Sequence, residues 1–401
     1  MNENLLSPFR AVSHYFIFGL LVSWLIAIQF KSSTYQITTF LILIGSILTL
    51  SRNLPLLFKN KTLILAVLLP IVLFASTLDN VNTISPQELI TIAKFILRGG
   101  LLIIGIYLLC LHANISSKFF IDAFIVVLFL CLLLQLAIWL NNGMPSGRIN
   151  GFINNRNQLA PFAVTLSLLS LGEILSRQFT GIKLWKIFLS FSFVLSLVVT
   201  YYTYSRIAYL SLFIGLAYLS ITHFKIKYSL LLLLVSLFSA FLAYEYDSNF
   251  RDKFDRSLNI TTSDGRTTQI WPHVFNKATE KSLIFGNGFG KTAEKKLKTS
   301  RFYREVGQFP YHSVPLELIY ISGITGLIAF YWLMIASIKK LKSYLKHAEA
   351  SAFVGVLISG LAEHSIFNSK PYISLIVIFV VVTLLSITEN KLKVLHANHP
   401  A

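Results

Sequence analysis

Long runs of apolar residues alternate with short polar segments along the whole chain. Twelve of these runs are close to the length of about twenty residues with which an α-helix crosses a bilayer. We predict membrane spans near residues 14–30, 35–51, 62–78, 89–111, 119–140, 158–175, 184–203, 206–223, 228–245, 314–337, 349–367 and 371–388. The pattern therefore predicts an all-α polytopic membrane protein, with residues 1–401 forming a single integral membrane domain.

The stretch 184–223 contains two of these spans. As one helix it would be about 60 Å long, roughly twice the hydrocarbon thickness of a bilayer. The polar string Thr203-Tyr204-Ser205-Arg206 is the only plausible place for a turn. The eighth span is thus predicted to begin at Arg206, with Ser205 as its N-cap.

The composition excludes soluble and disordered chains. Only 13% of the 401 residues are Asp, Glu, Lys or Arg, against about 25% in soluble domains. The 33 Phe and 17 Tyr exclude a disordered chain, which lacks such bulk. Cys110 and Cys131 both lie in apolar runs, so we expect neither a disulfide framework nor a Cys-based metal site.

The distribution of charge matters more than the net charge of +18, which would suggest a nucleic-acid partner only in a soluble protein. With a cytoplasmic N-terminus, the inner segments hold sixteen Lys or Arg. The short outer loops hold four, namely Lys31, Arg148, Arg156 and Lys370. The positive-inside rule then predicts that both termini are cytoplasmic. Because the opening segment lacks a small-residue cleavage site, we interpret it as a first span and not as a signal peptide.

One outer loop, residues 246–313, is much longer than the others. It holds twelve Lys or Arg and seven Asp or Glu, and a long loop among short connections is usually functional. We predict that it is the large periplasmic part of the chain. No internal repeat and no inverted pair of Gly- or Pro-broken spans, of the kind that transporters use, is visible. No acidic pair has a second ligand group at metal-binding spacing, so we expect no metal.

Two arginines are candidates for binding an anion. At Arg206, first-turn amides, the positive end of the helix dipole and a guanidinium would together suit a phosphate at the membrane surface. Arg266 is predicted on the first turn of a helix in the long loop. The alternatives are an arginine that reaches for lipid headgroups in the first case and an ordinary solvated arginine in the second.

His312 lies where the long loop meets the tenth span, and Pro315 suits the first turn of that helix. A neutral imidazole there could remove a proton from a hydroxyl near neutral pH. Glu317, one turn further, could orient His312 or balance the arginines. The alternatives are a histidine that makes interfacial hydrogen bonds and a carboxyl group that is buried and hydrogen-bonded.

Three further basic residues could support a site. Lys94 and Arg98 are four residues apart on one face of the fourth span, and charge inside a membrane is costly enough to suggest function. Pairing with Asp122 or Glu363 is the structural alternative. The Asn-rich loop of Arg148 could recognise sugar hydroxyls or simply form a tight turn before the sixth span.

Topology and motifs together resemble the bacterial O-antigen ligase and O-antigen polymerase superfamily of membrane glycosyltransferases. The twelve spans and the large loop before the tenth are similar. The motifs that carry the resemblance are Arg206-x-x-x-Leu210, His312 followed eleven residues later by Gly323, Arg266-Thr267-Thr268-Gln269-Ile270-Trp271, and the turn from Phe285 to Gly290.

The resemblance implies a GT-C-like fold and a lipid-carrier-dependent glycosyltransferase of the bacterial inner membrane. Its donor would be a polysaccharide on undecaprenyl diphosphate, and the acceptor of the ligase branch a sugar hydroxyl of lipid A-core. Arg206 and Arg266 would bind the diphosphate. His312 would be the base, with inversion at the anomeric carbon, at the periplasmic face and without cofactor or metal.

The His-to-Gly spacing and the single long loop favour the ligase branch. The loop of residues 147–157 resembles polymerases about as well, so a polymerase or a protein O-oligosaccharyltransferase with the same donor is the alternative. A second class is a transporter of lipid-linked glycan, in which Lys94 and Arg98 would line the path. An enzyme needs its cationic residues at the outer face, whereas a transporter needs charge near the midplane. The oligomeric state does not follow from the sequence.

Overall fold

A computed structural model of the chain describes residues 3–29, 33–58, 60–75, 77, 82, 84, 86–144, 149, 156–176, 183–223, 241, 244–248, 250–252, 255, 271–272, 275–276, 283–288, 313–361 and 370–398. All longer elements in these ranges are helical. They are α1 (Glu3–Ile28), α2 (Ser33–Phe58), α3 (Lys61–Phe74), α4 (Pro86–Phe95), α5 (Leu102–His112), α6 (Ser117–Asn141), α7 (Arg156–Ser176), α8 (Lys183–Thr203), α9 (Arg206–His223), α10 (Val314–Ser343), α11 (His347–Ser359) and α12 (Lys370–Asn398).

Seven helices of the described part are long and apolar enough to cross a membrane. They run over Ile92–His112, Ser117–Asn141, Gln158–Ser176, Leu184–Thr203, Arg206–His223, Val314–Ser343 and Tyr372–Leu392. Four shorter apolar helical segments, His14–Ile28, Thr34–Ile47, Lys61–Phe74 and His347–Ser359, coincide with four more predicted spans. This confirms the all-α class and fits a polytopic membrane protein. The ninth predicted span lies almost wholly outside the described residues, so the number of twelve stays a prediction.

Polar contacts define the two ends of the helix bundle. At one end, the backbone N and Oγ of Ser117 donate to the Glu389 carboxylate, and Lys346 Nζ donates to Ser117 Oγ over 2.7 Å. At the other end, the Tyr35 hydroxyl lies 3.2 Å from Ser374 Oγ. Ser374 and Glu389 are fifteen residues apart on α12, which separates the two levels by about 22 Å. We name these levels the Glu389 end and the Ser374 end.

The turn between α8 and α9 lies at the Ser374 end. Trp139 of α6, far along the helix from its start at the Glu389 end, packs against Tyr202 with ring centroids 5.0 Å apart. Deeper in the bundle, Ser351 Oγ of α11 donates to the Gly215 carbonyl of α9 over 2.7 Å. A Cβ on Gly215 would collide with Leu168 of α7. The small residue therefore lets three helices approach closely and fixes α9 against α11.

Two of the described helical spans are interrupted, and neither interruption was predicted from the sequence. One π-helical turn, Ile96–Leu101, joins α4 to α5 and contains Arg98. The backbone of α10 is non-helical at Gly323, where φ is 66° and ψ is −166°. Both interruptions contain glycine, but glycine alone does not identify them because spans of membrane proteins often contain it.

Candidate functional site

Arg206 is the first residue of α9 and is partly exposed at the Ser374 end. The predicted turn is confirmed, because α8 ends at Thr203 and Tyr204 has the left-handed backbone angle φ 46°. The predicted capping role of the Ser205 side chain is wrong. Its carbonyl accepts the first helical bonds, from Ala208 N at 3.0 Å and Tyr209 N at 3.2 Å, whereas its buried hydroxyl has no hydrogen-bond partner among the described residues.

The start of the long loop is fastened to this turn by Asp247. Its Oδ2 accepts hydrogen bonds from the hydroxyls of Tyr201 and Tyr204, the latter over 3.0 Å, and its Oδ1 accepts Phe250 N at 3.2 Å. Tyr209 of α9 donates to the Tyr201 carbonyl over 2.7 Å, and its ring lies 5.4 Å from that of Phe250. We name these five residues the Asp247 cluster. It holds the loop against the residues that precede and follow Arg206.

The loop between α6 and α7 reaches the same turn. Ile149 is only 1% exposed, and its backbone N donates to the Tyr202 carbonyl over 3.1 Å. The Tyr202 ring in turn packs against Trp139 at the end of α6. Arg148 itself lies outside the described residues, but the residue after it is anchored four positions before Arg206.

The residues that follow His312 are also firmly held. Ser313 is 3% exposed and precedes the first helical residue, Val314, as the sequence predicted. Val314 N donates to the carbonyl of Gly360, at the end of α11, over 2.9 Å. Glu317 is buried in the first turn of α10, where an acidic side chain suits the helix dipole. His312 itself lies outside the described residues.

A segment of the long loop, Leu283–Gly288, pairs with the interrupted part of α10. Four backbone hydrogen bonds of 2.8 to 3.1 Å join them, from Asn287 N to Tyr320 O, Gly288 N to Ile321 O, Ile324 N to Leu283 O and Thr325 N to Ile284 O. Gly286 and Gly323 both have positive φ, and a Cβ on Gly323 would collide with the Ile284 carbonyl. The glycine eleven residues after His312 is therefore where the helix opens to receive the loop.

Lys94 and Arg98 lie in the first two turns of the span Ile92–His112. The guanidinium carbon of Arg98 lies 5.4 Å from the centroid of the Tyr35 ring, which places it near the Ser374 end. Asp122 is only five residues from Ser117, at the Glu389 end. This separation argues against Asp122 as their partner, and Glu363 lies outside the described residues.

The structure thus brings together Arg206, the first residues of the long loop and the loop that carries Arg148. Arg148, Arg266 and His312 lie outside the described residues, so the convergence of the two arginines and the histidine stays a prediction. Asp247 and Tyr204 were missed from the sequence as site residues. Their only signal was an acid that follows a predicted span and a tyrosine-rich turn. Among the described residues, no group of three His, Cys, Asp or Glu side chains could hold a metal ion.

A family model of known proteins matches part of the chain. Residues 191–331 match the family model described as O-antigen ligase. The matched segment starts in α8, includes Arg206, Arg266 and His312, and ends in α10 after Gly323. None of the curated proteins that were compared matches the chain. The family match and the apolar helices indicate an integral protein of the inner membrane that takes part in lipopolysaccharide synthesis. Residues 191–331 therefore form a domain of the O-antigen ligase and polymerase superfamily, as the resemblance predicted.

Proposed function

We propose that the protein is an O-antigen ligase. It transfers a polysaccharide from undecaprenyl diphosphate to a sugar hydroxyl of lipid A-core at the periplasmic face, with inversion and without a metal. The observation that carries this proposal is the α8–α9 turn. There Arg206 opens a helix, and both the long loop and the loop of Arg148 are fastened within a few residues of it.

The donor diphosphate binds at Arg206 and Arg266. When the sugar C1–O bond breaks, negative charge develops on the departing lipid diphosphate. Arg206 is the first residue of α9, so a guanidinium group belongs to the positive end of this helix, and both favour an anion. Donors that are already in place stabilise this charge better than solvent that must reorganise. The Asp247 cluster keeps Arg206 in place, because it holds the residues on both sides of it.

His312 is the base. It takes the proton of the acceptor hydroxyl as the oxygen forms its bond to C1, on the face opposite to the departing diphosphate, which inverts the anomeric centre. A base within hydrogen-bond reach typically contributes a factor of about 10²–10⁴. The bond from Val314 N to Gly360 O supports this role, since it fixes the backbone two residues after the imidazole. Glu317 orients His312 or balances the arginines from the following turn.

The alternative is a polymerase that joins repeat units, or a protein O-oligosaccharyltransferase, with the same donor. The bond from Ile149 N to Tyr202 O supports this alternative, because Ile149 belongs to the polymerase-like loop and is held four residues before Arg206. Transport of lipid-linked glycan is less favoured. The family match covers Arg206, Arg266 and His312 but not Lys94 or Arg98.

Gel analysis of lipopolysaccharide from a deletion strain distinguishes these activities. A ligase leaves bare core and an accumulation of lipid-linked polymer, whereas loss of a polymerase leaves core with a single repeat unit. For the site, we expect the variants Arg206→Ala and Arg266→Ala to slow transfer about 10²–10³-fold, as losing a donor to developing charge does elsewhere. His312→Ala should lower the rate of transfer by about 10²–10⁴-fold, the factor that a general base typically contributes.

The matched control is Lys339→Ala, which removes an exposed cation on the last turns of α10, towards the Glu389 end. It should transfer at the wild-type rate at equal protein level. Arg206→Lys keeps the charge but not the forked geometry and should lie between wild type and Arg206→Ala. Wild-type amounts of O-antigen on lipid A-core with His312→Ala would remove the histidine from the mechanism.

A further inference from the structure

Two cations of the fourth span have no counter-charge in the described part of the chain. No ion pair or hydrogen bond of the Lys94 or Arg98 side chain is present there, and the contact of Arg98 is with the Tyr35 ring. The Lys94 side chain is exposed and that of Arg98 is partly exposed. Like charges four residues apart on a helix repel each other. Inside a bilayer their cost is higher still, unless an anion accompanies them.

The backbone around Lys94 and Arg98 has a conformation that is found frequently at functional sites. The π-helical turn Ile96–Leu101 starts directly after α4, and such turns occur frequently at functional positions. Gly100 packs its backbone against the Pro70 side chain of α3. Tyr35, over which Arg98 lies, is fully buried and is itself held by Ser374. Arg98 is therefore held beside a fixed ring at the Ser374 end.

A chain of contacts links the π-helical turn that contains Arg98 to the end of α11. Gly99 faces Ile373 of α12, and the neighbouring Tyr372 side chain packs against Gly360 at the end of α11. The Gly360 carbonyl in turn accepts Val314 N, beside position 312. On the other flank, α11 packs on α9, which begins at Arg206. Contacts through α12 and α11 thus connect Arg98 to the end of α11 that holds the start of α10, and α11 also packs on the helix that Arg206 begins.

We propose that Lys94 and Arg98 bind the phosphate-bearing headgroup of the acceptor lipid. The inference rests on the proposed function, because a transfer between two anionic lipids needs two separate anion sites with the base between them. Arg206 takes the diphosphate of the donor, and the fourth span takes the acceptor. Since both cations lie in the first turns of a span, the acceptor reaches them sideways from the outer leaflet, with its headgroup at their level.

The first test is kinetic. Purified protein in phosphatidylcholine nanodiscs is given lipid-linked donor and lipopolysaccharide that lacks O-antigen. In the variant K94Q/R98Q, the KM for this acceptor should rise about tenfold or more, as losing a charge-assisted contact implies. The KM for the donor and the kcat at saturating acceptor should stay at their wild-type values. Arg98→Lys should restore part of the acceptor affinity, and Lys339→Gln, a matched loss of charge far from the site, should change nothing.

A binding assay without transfer separates this inference from the proposed function. Wild-type protein should bind the acceptor lipid and lose affinity for the same lipid after removal of its phosphates, whereas K94Q/R98Q should bind both equally weakly. If wild-type protein shows this preference but transfers nothing, the ligase proposal fails and the anion site stands. If K94Q/R98Q transfers with wild-type acceptor dependence, the anion site fails and the ligase proposal stands.

Two competition experiments identify the source of the phosphate. Inorganic phosphate at millimolar concentration should not displace the acceptor lipid, and equal displacement would make this a site for a free anion. Phosphatidylglycerol mixed into the nanodiscs should compete only weakly. Competition as strong as that of the acceptor would mean that the two side chains only reach for bulk headgroups, which overturns the proposal. The elution of K94Q/R98Q as a single species in gel filtration excludes misfolding as the cause of a loss.

Discussion

At the scale of single residues, the carboxylate of Asp247 organises the candidate site. It accepts hydrogen bonds from two tyrosine hydroxyls and from one backbone amide. It therefore connects the first turn of the long loop with the residues around Arg206. A buried or half-buried hydroxyl that loses its acceptor is left unsatisfied, which costs more than the hydrogen bond itself contributes. Asp247 is therefore a positioning residue for Arg206 and is not proposed to touch the substrate.

Replacing Asp247 by alanine should lower both stability and transfer. We expect a loss of about 1–3 kcal/mol in the free energy of unfolding, because two hydroxyls lose their acceptor, together with slower transfer at saturating acceptor. Asp247→Asn retains one acceptor oxygen and should lose less. Thermal unfolding in detergent and transfer in membranes measure the two effects.

The exposed Asp252, five residues further along, provides the control for charge and position. Asp252→Ala should match the wild type in both measurements. If Asp247→Ala behaved like Asp252→Ala, the Asp247 cluster would have no part in ordering Arg206.

The sequence indicated Arg206 and the turn before it, because the length of an apolar run and a polar interruption are local signals. It did not indicate Asp247, whose tyrosine partners lie 43 and 46 residues away. Read alone, Glu245 and Asp247 form an acidic pair without a further ligand group at metal-binding spacing, and they gave no reason to expect a site. The hydroxyl acceptor role depends on which turn the loop returns to, and that is a property of the packed structure.

At the scale of elements, the central feature is the opening of α10 at Gly323. Interrupting a helix frees carbonyl and amide groups, which a lipid environment cannot satisfy. The segment Leu283–Gly288 satisfies four of them, and Thr325 Oγ1 adds a bond of 3.0 Å to Ile284 O. The long loop is thereby tied to the helix that follows His312, just as Asp247 ties it to the tyrosines before Arg206.

A side chain at position 323 should weaken the pairing between the segment Leu283–Gly288 and α10. Gly323→Ala must hold φ near 66° and collides with the Ile284 carbonyl. The strained backbone alone costs about 1–3 kcal/mol. We expect a lower unfolding temperature. We also expect transfer at no more than a tenth of the wild-type rate, because a cost of about 1.4 kcal/mol corresponds to a factor of ten.

Gly19 is the matched control, since a Cβ there meets nothing within 4 Å in α1. Gly19→Ala should be neutral or slightly stabilising, because alanine favours a helix. Equal unfolding temperatures for the two alanine variants would show that the loop and α10 are not joined in the working protein.

The locations of the described helices were largely predictable, since each follows from an apolar run of sufficient length, although α1 begins eleven residues before its predicted span and α12 ends ten residues after its own. Their interruptions were not, because a π-turn and an opened helix depend on neighbouring elements. Gly323 was noticed only through the family motif, and its physical reason lies 39 residues earlier, at Ile284. The pairing of Arg98 with the Tyr35 ring was likewise invisible in the sequence, which offered carboxylates as partners instead.

At the scale of the whole molecule, the two polar levels of the bundle determine which residues can act together. Arg206, Arg98 and the start of α10 share the Ser374 end, whereas Ser117, Glu389 and Lys346 tie the helices at the Glu389 end. The charge distribution predicts that the Glu389 end faces the cytoplasm. The proposed reaction requires this orientation, because its two lipid substrates meet at the periplasmic face.

Single cysteines at the two ends test this orientation directly. Tyr246 is 88% exposed beside Asp247, and Leu345 is 76% exposed between α10 and α11. Cys110 and Cys131 are buried, so the unchanged chain should give little background. A membrane-impermeant maleimide should label Tyr246→Cys in intact spheroplasts and Leu345→Cys only after permeabilisation. The reverse result would place Arg206 in the cytoplasm, away from the periplasmic acceptor, and labelling of both in intact spheroplasts would contradict a bundle that separates the two ends.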